Sequence, residues 1–143
     1  MHFKLGEFLT SCEWRKETSG TVWQGTYCAN LGGSGRLRIH SSPGKGDVVA
    51  KLRSGRTLRV ECKKGSLERT KSSAEYPLLR EAIGQLLTIE QVNDDDMLAV
   101  AVPESPKFQE LATRWREAPL IKKLGIKILT VGQDGSVDGL GEV

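Results

Sequence analysis

The chain has 143 residues, of which 38% are hydrophobic and 27% charged, and its formal net charge at pH 7 is +3. These values are ordinary for a globular protein, so we expect a single domain over residues 1–143 and exclude a disordered or collagen-like chain. Because the sequence has neither a run of ~18 uncharged apolar residues nor an apolar segment soon after Met1, we expect no membrane span and no secretory signal.

The first half of the chain is expected to form one short helix and three strands. Apolar residues from Phe3 to Cys12 recur with the period of an amphipathic helix. Residues 18–35 are rich in Gly, Thr and Ser, and we interpret them as irregular or as a weak strand. Apolar segments bounded by turn residues predict strands over 36–40, 47–53 and 57–63.

The second half of the chain is expected to alternate helices and strands. One helix is opened by Pro77, and another begins at Ser105, a capping hydroxyl followed by proline at the first helical position. A further helical piece ends at Gly125, and apolar strands are predicted over 97–102 and 126–131. This order predicts an α/β fold (α-β-β-β-α-β-α-β), with a central mixed sheet of about five strands flanked by helices.

The positive charge is concentrated in one part of the chain. Between Arg36 and Lys71, eleven basic residues accompany three acidic ones, so this segment carries +8 and the rest of the chain −5. Such a concentration predicts a polyanionic partner, most simply nucleic acid. The alternative interpretation is a solvated basic face of a sheet.

The hairpin over 47–63 contains the residues with the clearest chemistry. For the apolar side chains of both strands to cover one core, the numbers of paired residues must have an even sum. A loop over 53–55, with its final glycine in the left-handed conformation, gives a sum of 108. This register places Asp47 directly opposite Glu61, with Lys63 on the same face.

Two neighbouring carboxylates repel each other unless a cation lies between them. Since Asp47 and Glu61 offer only oxygen ligands, the expected ion is a hard one, Mg²⁺ or Mn²⁺. Such an ion polarises a phosphate oxygen and activates water, and Lys63 could stabilise the charge that develops on the phosphate. The alternative is an exposed polar hairpin with weak surface ion pairs.

Gly46-Asp47, followed after thirteen residues by Glu61-Cys62-Lys63, resembles the motif of the PD-(D/E)xK nuclease superfamily. The resemblance implies a restriction-endonuclease-like core and hydrolysis of DNA phosphodiester bonds, with Asp47 and Glu61 as metal ligands and Lys63 as a catalytic residue. It also implies that the backbone carbonyl of Cys62 binds the metal. Gln85 matches the glutamine that the following helix often supplies.

Many members of this superfamily add an acid from the first helix. Glu7 is our candidate for that role, and Glu13 and Glu17 are alternatives. The chain also departs from the family pattern, because Pro43 does not directly precede Asp47. Moreover, Ile89 stands where the exonuclease branch has tyrosine. The sequence is therefore more similar to Mrr-type restriction enzymes and junction-resolving enzymes.

The resemblance implies an endonuclease of restriction, repair or recombination that recognises the backbone or the structure of double-stranded or branched DNA. A homodimer that cuts both strands fits this function. Basic residues of the +8 segment would bind the phosphates: Arg36, Arg38, Lys45, Lys51, Arg53 and Lys64. One alternative is a catalytically inactive module of the same fold that binds nucleic acid. Another is a structural subunit whose basic face binds an acidic protein.

Other functional classes have weaker signals. The glycine-rich segments lack the pattern of a nucleotide-binding loop, and the acidic run 93–96 lacks the spacing of a calcium loop, so we expect a solvated loop there. Cys12, Cys28 and Cys62 are an odd number without C-x-x-C spacing, which indicates a reducing, cytoplasmic environment. Cys62 falls on the apolar face of the hairpin, so we expect a buried, unreactive thiol.

Overall fold

The computed structural model describes residues 5–17, 24–29, 35–39, 46–64 and 74–141. The helices in these ranges are α1 (Leu5–Ser11), α2 (Glu75–Leu86), α3 (Pro106–Arg116) and α4 (Pro119–Leu124). The strands are β1 (Trp14–Lys16), β2 (Gly25–Ala29), β3 (Arg36–Ile39), β4 (Val48–Lys51), β5 (Thr57–Cys62), β6 (Met97–Pro103), β7 (Lys127–Val131) and β8 (Val137–Asp138).

All of these strands belong to one mixed sheet, in which their spatial order follows the sequence from β1 to β8. Strands β1 to β5 form an antiparallel meander. Strands β5, β6 and β7 run parallel, and β8 returns antiparallel to β7. The parallel connections pass through α2 and through α3 and α4, as crossovers between parallel strands require. The expected mixed α/β architecture is therefore confirmed.

The expected size of the sheet, about five strands, is wrong, because the described residues form eight. β1 and β8 are only three and two residues long, too short for a periodic pattern. β2 lies in the stretch rich in Gly, Thr and Ser, where tertiary packing of Tyr27 outweighs the weak local preference. The five strands that the sequence predicted are β3 to β7.

Local signals explain several element boundaries. The Ser105 hydroxyl accepts a hydrogen bond from the Phe108 amide over 3.2 Å, which caps α3 as expected. α4 ends at Gly125, whose φ of 67° lies in the left-handed region. α2 begins at Glu75, two residues before the predicted Pro77, which lies within its first turn.

The two faces of the sheet are covered differently. The face that bears Val100 and Ile128 packs against α2 and α3 and forms the largest apolar cluster. On the opposite face, residues of β4 to β7 such as Val60 and Ala99 form a second cluster. A third apolar cluster contains Leu9 of α1 together with Tyr27 and Ile39. None of the helices in the described ranges is long and apolar enough to cross a membrane.

Candidate functional site

The hairpin of β4 and β5 has the register that the apolar pattern predicted. Val48 pairs with Val60 and Ala50 with Leu58, so paired numbers sum to 108. The loop between the strands closes with a hydrogen bond from the Gly55 amide to the Leu52 carbonyl. Gly55 has the expected positive φ, 85°. The alternation of the strands therefore directs the side chains of both acids toward the face that carries α2.

Asp47 and Glu61, called the acid pair below, lie beside each other at the entry to β4. The backbone amide of Cys62 donates a hydrogen bond to Oδ2 of Asp47 over 2.8 Å, which fixes this carboxylate against β5. Glu61 is only 8% exposed. The observed register continues to residues 47 and 61, so these two carboxylates share one face of the sheet, as the sequence predicted.

Burial dominates the electrostatics of Glu61. Desolvation first, then the charge of Asp47 and a hydrogen bond with it, raise the pKa of Glu61 to about 7, against the lowering effect of Lys63. The pair therefore resists carrying two negative charges at neutral pH. A proton or a cation near both carboxylates relieves this cost.

Gly46 explains how the two strands approach so closely at this point. It is buried and has a φ of 85°, a conformation that favours glycine. A Cβ at this position would lie 3.4 Å from the carbonyl oxygen of Val60 and 3.6 Å from Cδ1 of Ile89. Glycine thus lets the chain enter β4 directly against β5, which places Asp47 beside Glu61.

Lys63 follows β5, and its ammonium group contacts α2. Its Nζ donates a hydrogen bond to Oε1 of Glu81 over 2.7 Å. The Lys63 side chain is 17% exposed, whereas that of Glu81 is 55% exposed. Gln85 lies one turn further along the same helix and is exposed. Glu81 was not predicted as part of the site, although its spacing from Gln85 places both on one helix face.

The structure does not place Glu7 with the acid pair. Glu7 is an exposed residue of α1. This helix packs through Leu9 against Tyr27 and Ile39. The strand register puts those two side chains on the face of the sheet opposite Glu61. The expected contribution of Glu7 therefore finds no support in its position.

The two alternative acids also lie elsewhere. Glu13 occupies the turn after α1 with a φ of 63°. Glu17 follows β1, and its carboxylate accepts hydrogen bonds from the guanidinium of Arg36 at 2.9 and 3.0 Å. The Cys28 thiol donates to the same carboxylate over 2.7 Å. Glu17 is therefore a partner of the basic residues and not of the acid pair.

The predicted phosphate-binding residues separate into two groups. Arg36, Arg38 and Lys51 are exposed on the same face of the sheet as the acid pair. Arg53 lies in the exposed hairpin loop and Lys64 just beyond β5. The remaining candidate, Lys45, lies outside the described residues.

Two expectations about the burial of individual side chains are wrong. Cys62 is exposed, because it ends β5 beyond the apolar cluster that covers Leu58 and Val60. Desolvation of its thiol, followed by the charges of the acid pair, raises the pKa of Cys62 to about 12, so the thiol is neutral at pH 7, in line with the expected lack of reactivity. Asp96, expected in a solvated loop, is 1% exposed in its side chain and binds Arg59 over 2.6 Å.

The site offers two carboxylates for a metal ion. Within the described ranges no group of three or more His, Cys, Asp or Glu side chains is arranged to bind one. The acid pair nevertheless has the chemistry of a hard-cation site, since its ligands are oxygen atoms and both burial and the charge of Asp47 raise the pKa of Glu61. Magnesium and manganese, which keep several water ligands, suit a site with few protein ligands.

Comparison with known proteins gives no match. No protein-family model, no curated protein and no solved structure is significantly similar to this chain.

Proposed function

We propose that this protein is a metal-dependent nuclease that hydrolyses phosphodiester bonds of DNA. The observation that carries the proposal is the acid pair itself, two adjacent carboxylates of which one has its pKa raised to about 7. Lys63 directly follows β5, the strand that carries Glu61, and exposed basic residues lie on the same face as the acid pair. Metal-dependent hydrolysis of a phosphodiester requires carboxylates that bind the metal ion, and nearby basic residues that bind the phosphates.

Each residue has a distinct role in this proposal. Asp47 and Glu61 would hold Mg²⁺ or Mn²⁺, with the backbone carbonyl of Cys62 as a further ligand. When bound, the ion polarises a phosphate oxygen and lowers the pKa of a water molecule. Lys63 stabilises the negative charge that develops on the phosphate, and Glu81 positions its ammonium group. Gln85, on the exposed face of α2, orients the water or the phosphate.

The substrate follows from charge and from the sequence motif. The +8 segment favours recognition of the DNA backbone, with a steep dependence of affinity on salt. The motif's resemblance to the PD-(D/E)xK superfamily supports a restriction-endonuclease-like core and endonucleolytic cleavage of double-stranded or branched DNA. A homodimer that cuts both strands is part of the same proposal.

One observation favours a second candidate, an inactive nuclease-fold module that binds nucleic acid. The ammonium group of Lys63 is engaged by Glu81, and within the part of the chain that the structure describes no third acid joins the pair. Such a module would bind DNA in the presence of EDTA and would not cleave it, whichever metal ion is added. The experiment below separates the two functions.

The test is nicking of supercoiled plasmid DNA with Mg²⁺ or Mn²⁺. We expect EDTA to abolish cleavage, and Glu61→Ala and Lys63→Ala each to lower its rate by about 100-fold or more. Lys107 and Glu110, which form a comparable ion pair on α3, supply the matched controls Lys107→Ala and Glu110→Ala. Equal rates in the site variants and the controls would contradict the nuclease function, and DNA binding without cleavage by the native protein would establish the inactive module.

A further inference from the structure

A groove of about 450 Å³ lies on the face of the sheet that carries the acid pair. Its floor is formed by β3, β4 and β5, and Val49, Lys51 and Arg59 are among the residues that line it. Glu17 and Arg36 line the far end. The volume suits one or two nucleotides of a single strand rather than the full width of a duplex.

The strand register orders the side chains on this face into rows that lead from the acid pair, which is not part of the groove's lining, into the groove. Asp47 and Glu61 share one row, because their numbers continue the observed pairing. The next row along the strands contains Arg38 and Val49, and the row after that contains Lys51 paired with Arg36. Successive rows on one face are ~6.5–7 Å apart. This interval is comparable with the distance between neighbouring phosphates of an extended nucleic-acid strand.

The cations of the groove differ in whether their charge is already compensated. Arg59 is bound to the buried carboxylate of Asp96 and acts as a structural residue. Arg36 is bound to Glu17. Among the described residues, Arg38 forms no ion pair, and Lys51 contacts only the Thr57 hydroxyl at 3.4 Å. The uncompensated charges therefore lie one and two rows from the acid pair.

We propose that this groove binds the backbone of one DNA strand on one side of the cleaved bond, with Arg38 contacting the first phosphate after the acid pair and Lys51 the second. The identity of the cleaved phosphate rests on the proposed nuclease function. Tight binding therefore requires a strand that continues for at least two phosphates on this side, because a shorter strand does not reach Lys51.

Glu17 adds a competing negative charge at the far end of the groove. Its carboxylate holds the 65%-exposed side chain of Arg36 with two hydrogen bonds, in the way that a phosphate would. Arg36 lies in the same row as Lys51, so the second phosphate must displace this carboxylate to bind Arg36 as well. Glu17 therefore limits how strongly the groove binds the second phosphate.

The experiment measures binding of fluorescein-labelled oligodeoxythymidylates of increasing length by anisotropy, in EDTA and over a series of salt concentrations. Arg38→Ala and Lys51→Ala should each weaken binding and lower the slope of log K against log salt by about 0.7, the value for one phosphate of a single strand. Glu17→Gln should strengthen binding of the longer strands and raise the slope by a similar amount. Lys123→Ala on α4, an exposed lysine outside the groove, is the matched control.

The proposal is overturned if the slopes of Arg38→Ala and Lys51→Ala equal that of Lys123→Ala. It is also overturned if polyglutamate binds as tightly as the oligonucleotide and with the same loss in these variants, because the occupant would then be an acidic protein. The measurement does not depend on cleavage. A native protein that binds through Arg38 and Lys51 but never cuts DNA would therefore contradict the nuclease function alone.

Discussion

One face of the sheet has opposite character in its two halves. Over β6 and β7 it carries apolar side chains such as Val100 and Ile128, which are fully buried beneath α2 and α3. Over β3 and β4 the same face carries Arg36, Arg38 and Lys51, which are exposed. We call these regions the covered half and the open half. One face of the sheet thus forms part of the core over β6 and β7 and a charged surface over β3 and β4.

The acid pair lies at the boundary between the two halves. Glu61 pairs in register with Val100 on the covered side, and Asp47 is the first residue before β4 on the open side. The apolar neighbours explain why burial is the largest cause of the raised pKa of Glu61. A carboxylate at such a boundary pays a desolvation cost when it is charged, which a proton or a nearby cation would relieve.

The largest expected difference concerns two carboxylate–arginine pairs, one at the boundary on β5 and one in the open half. Asp96→Asn removes the carboxylate that binds the Arg59 guanidinium, in a pair whose side chains are only 13% and 1% exposed, and should lower the free energy of unfolding by about 3 kcal/mol. Glu17→Gln acts on the exposed Arg36 and should leave the free energy of unfolding almost unchanged. Urea denaturation of both variants checks the comparison. Equal losses would mean that burial does not distinguish the pairs.

A smaller difference is expected for two valines on the same face. Val100 is fully buried in the covered half, so Val100→Ala should cost about 2–3 kcal/mol from lost burial and the cavity left behind. Val49 is half-buried in the groove of the open half, and Val49→Ala should cost about 1 kcal/mol or less. Thermal unfolding measures both, and similar costs would show that the open half is covered in solution.

The parts of the structure that the sequence predicted depend on local rules. The register of β4 and β5 followed from alternating apolar residues and a left-handed glycine, and it placed Asp47 beside Glu61. The cap at Ser105 and the stop at Gly125 followed from side-chain and backbone preferences within one turn. These features need no information about distant segments of the chain.

The parts that sequence reasoning missed depend on contacts between distant segments. Glu81 meets Lys63 across 18 positions and Asp96 meets Arg59 across 37, and no local pattern encodes either pair. Cys62 is exposed because the apolar cluster on its face of the sheet ends before it. The alternation of side chains along one strand does not show where such a cluster ends. The basic residues were predicted from composition, but their division into neutralised and uncompensated cations required the positions of the acids.

The smallest effect is a gain of stability on removal of the Glu61 charge. Because the pKa of this carboxyl is raised from 4.5 to about 7 in the folded protein, the folded state holds a proton that the unfolded state has released between those pH values. Stability contributed by Glu61 is therefore complete below about pH 4.5, falls as the pH rises toward 7 and stays low above it. The glutamine of the Glu61→Gln variant does not titrate, so the variant does not lose this stability as the pH rises.

We therefore expect Glu61→Gln to be more stable than the native protein by on the order of 1–2 kcal/mol at about pH 8, or a few degrees in Tm, with little advantage at about pH 5. Glu110→Gln is the control. Because the ion pair with Lys107 lowers the pKa of Glu110, this carboxylate is ionised over this pH range in both the folded and the unfolded protein. Mg²⁺ should raise the Tm of the native protein at about pH 8 and leave Glu61→Gln unchanged. If the variant shows the same advantage at both pH values, the charge of Glu61 is not what destabilises the boundary. An Mg²⁺ response that persists in the variant would place the ion away from the acid pair.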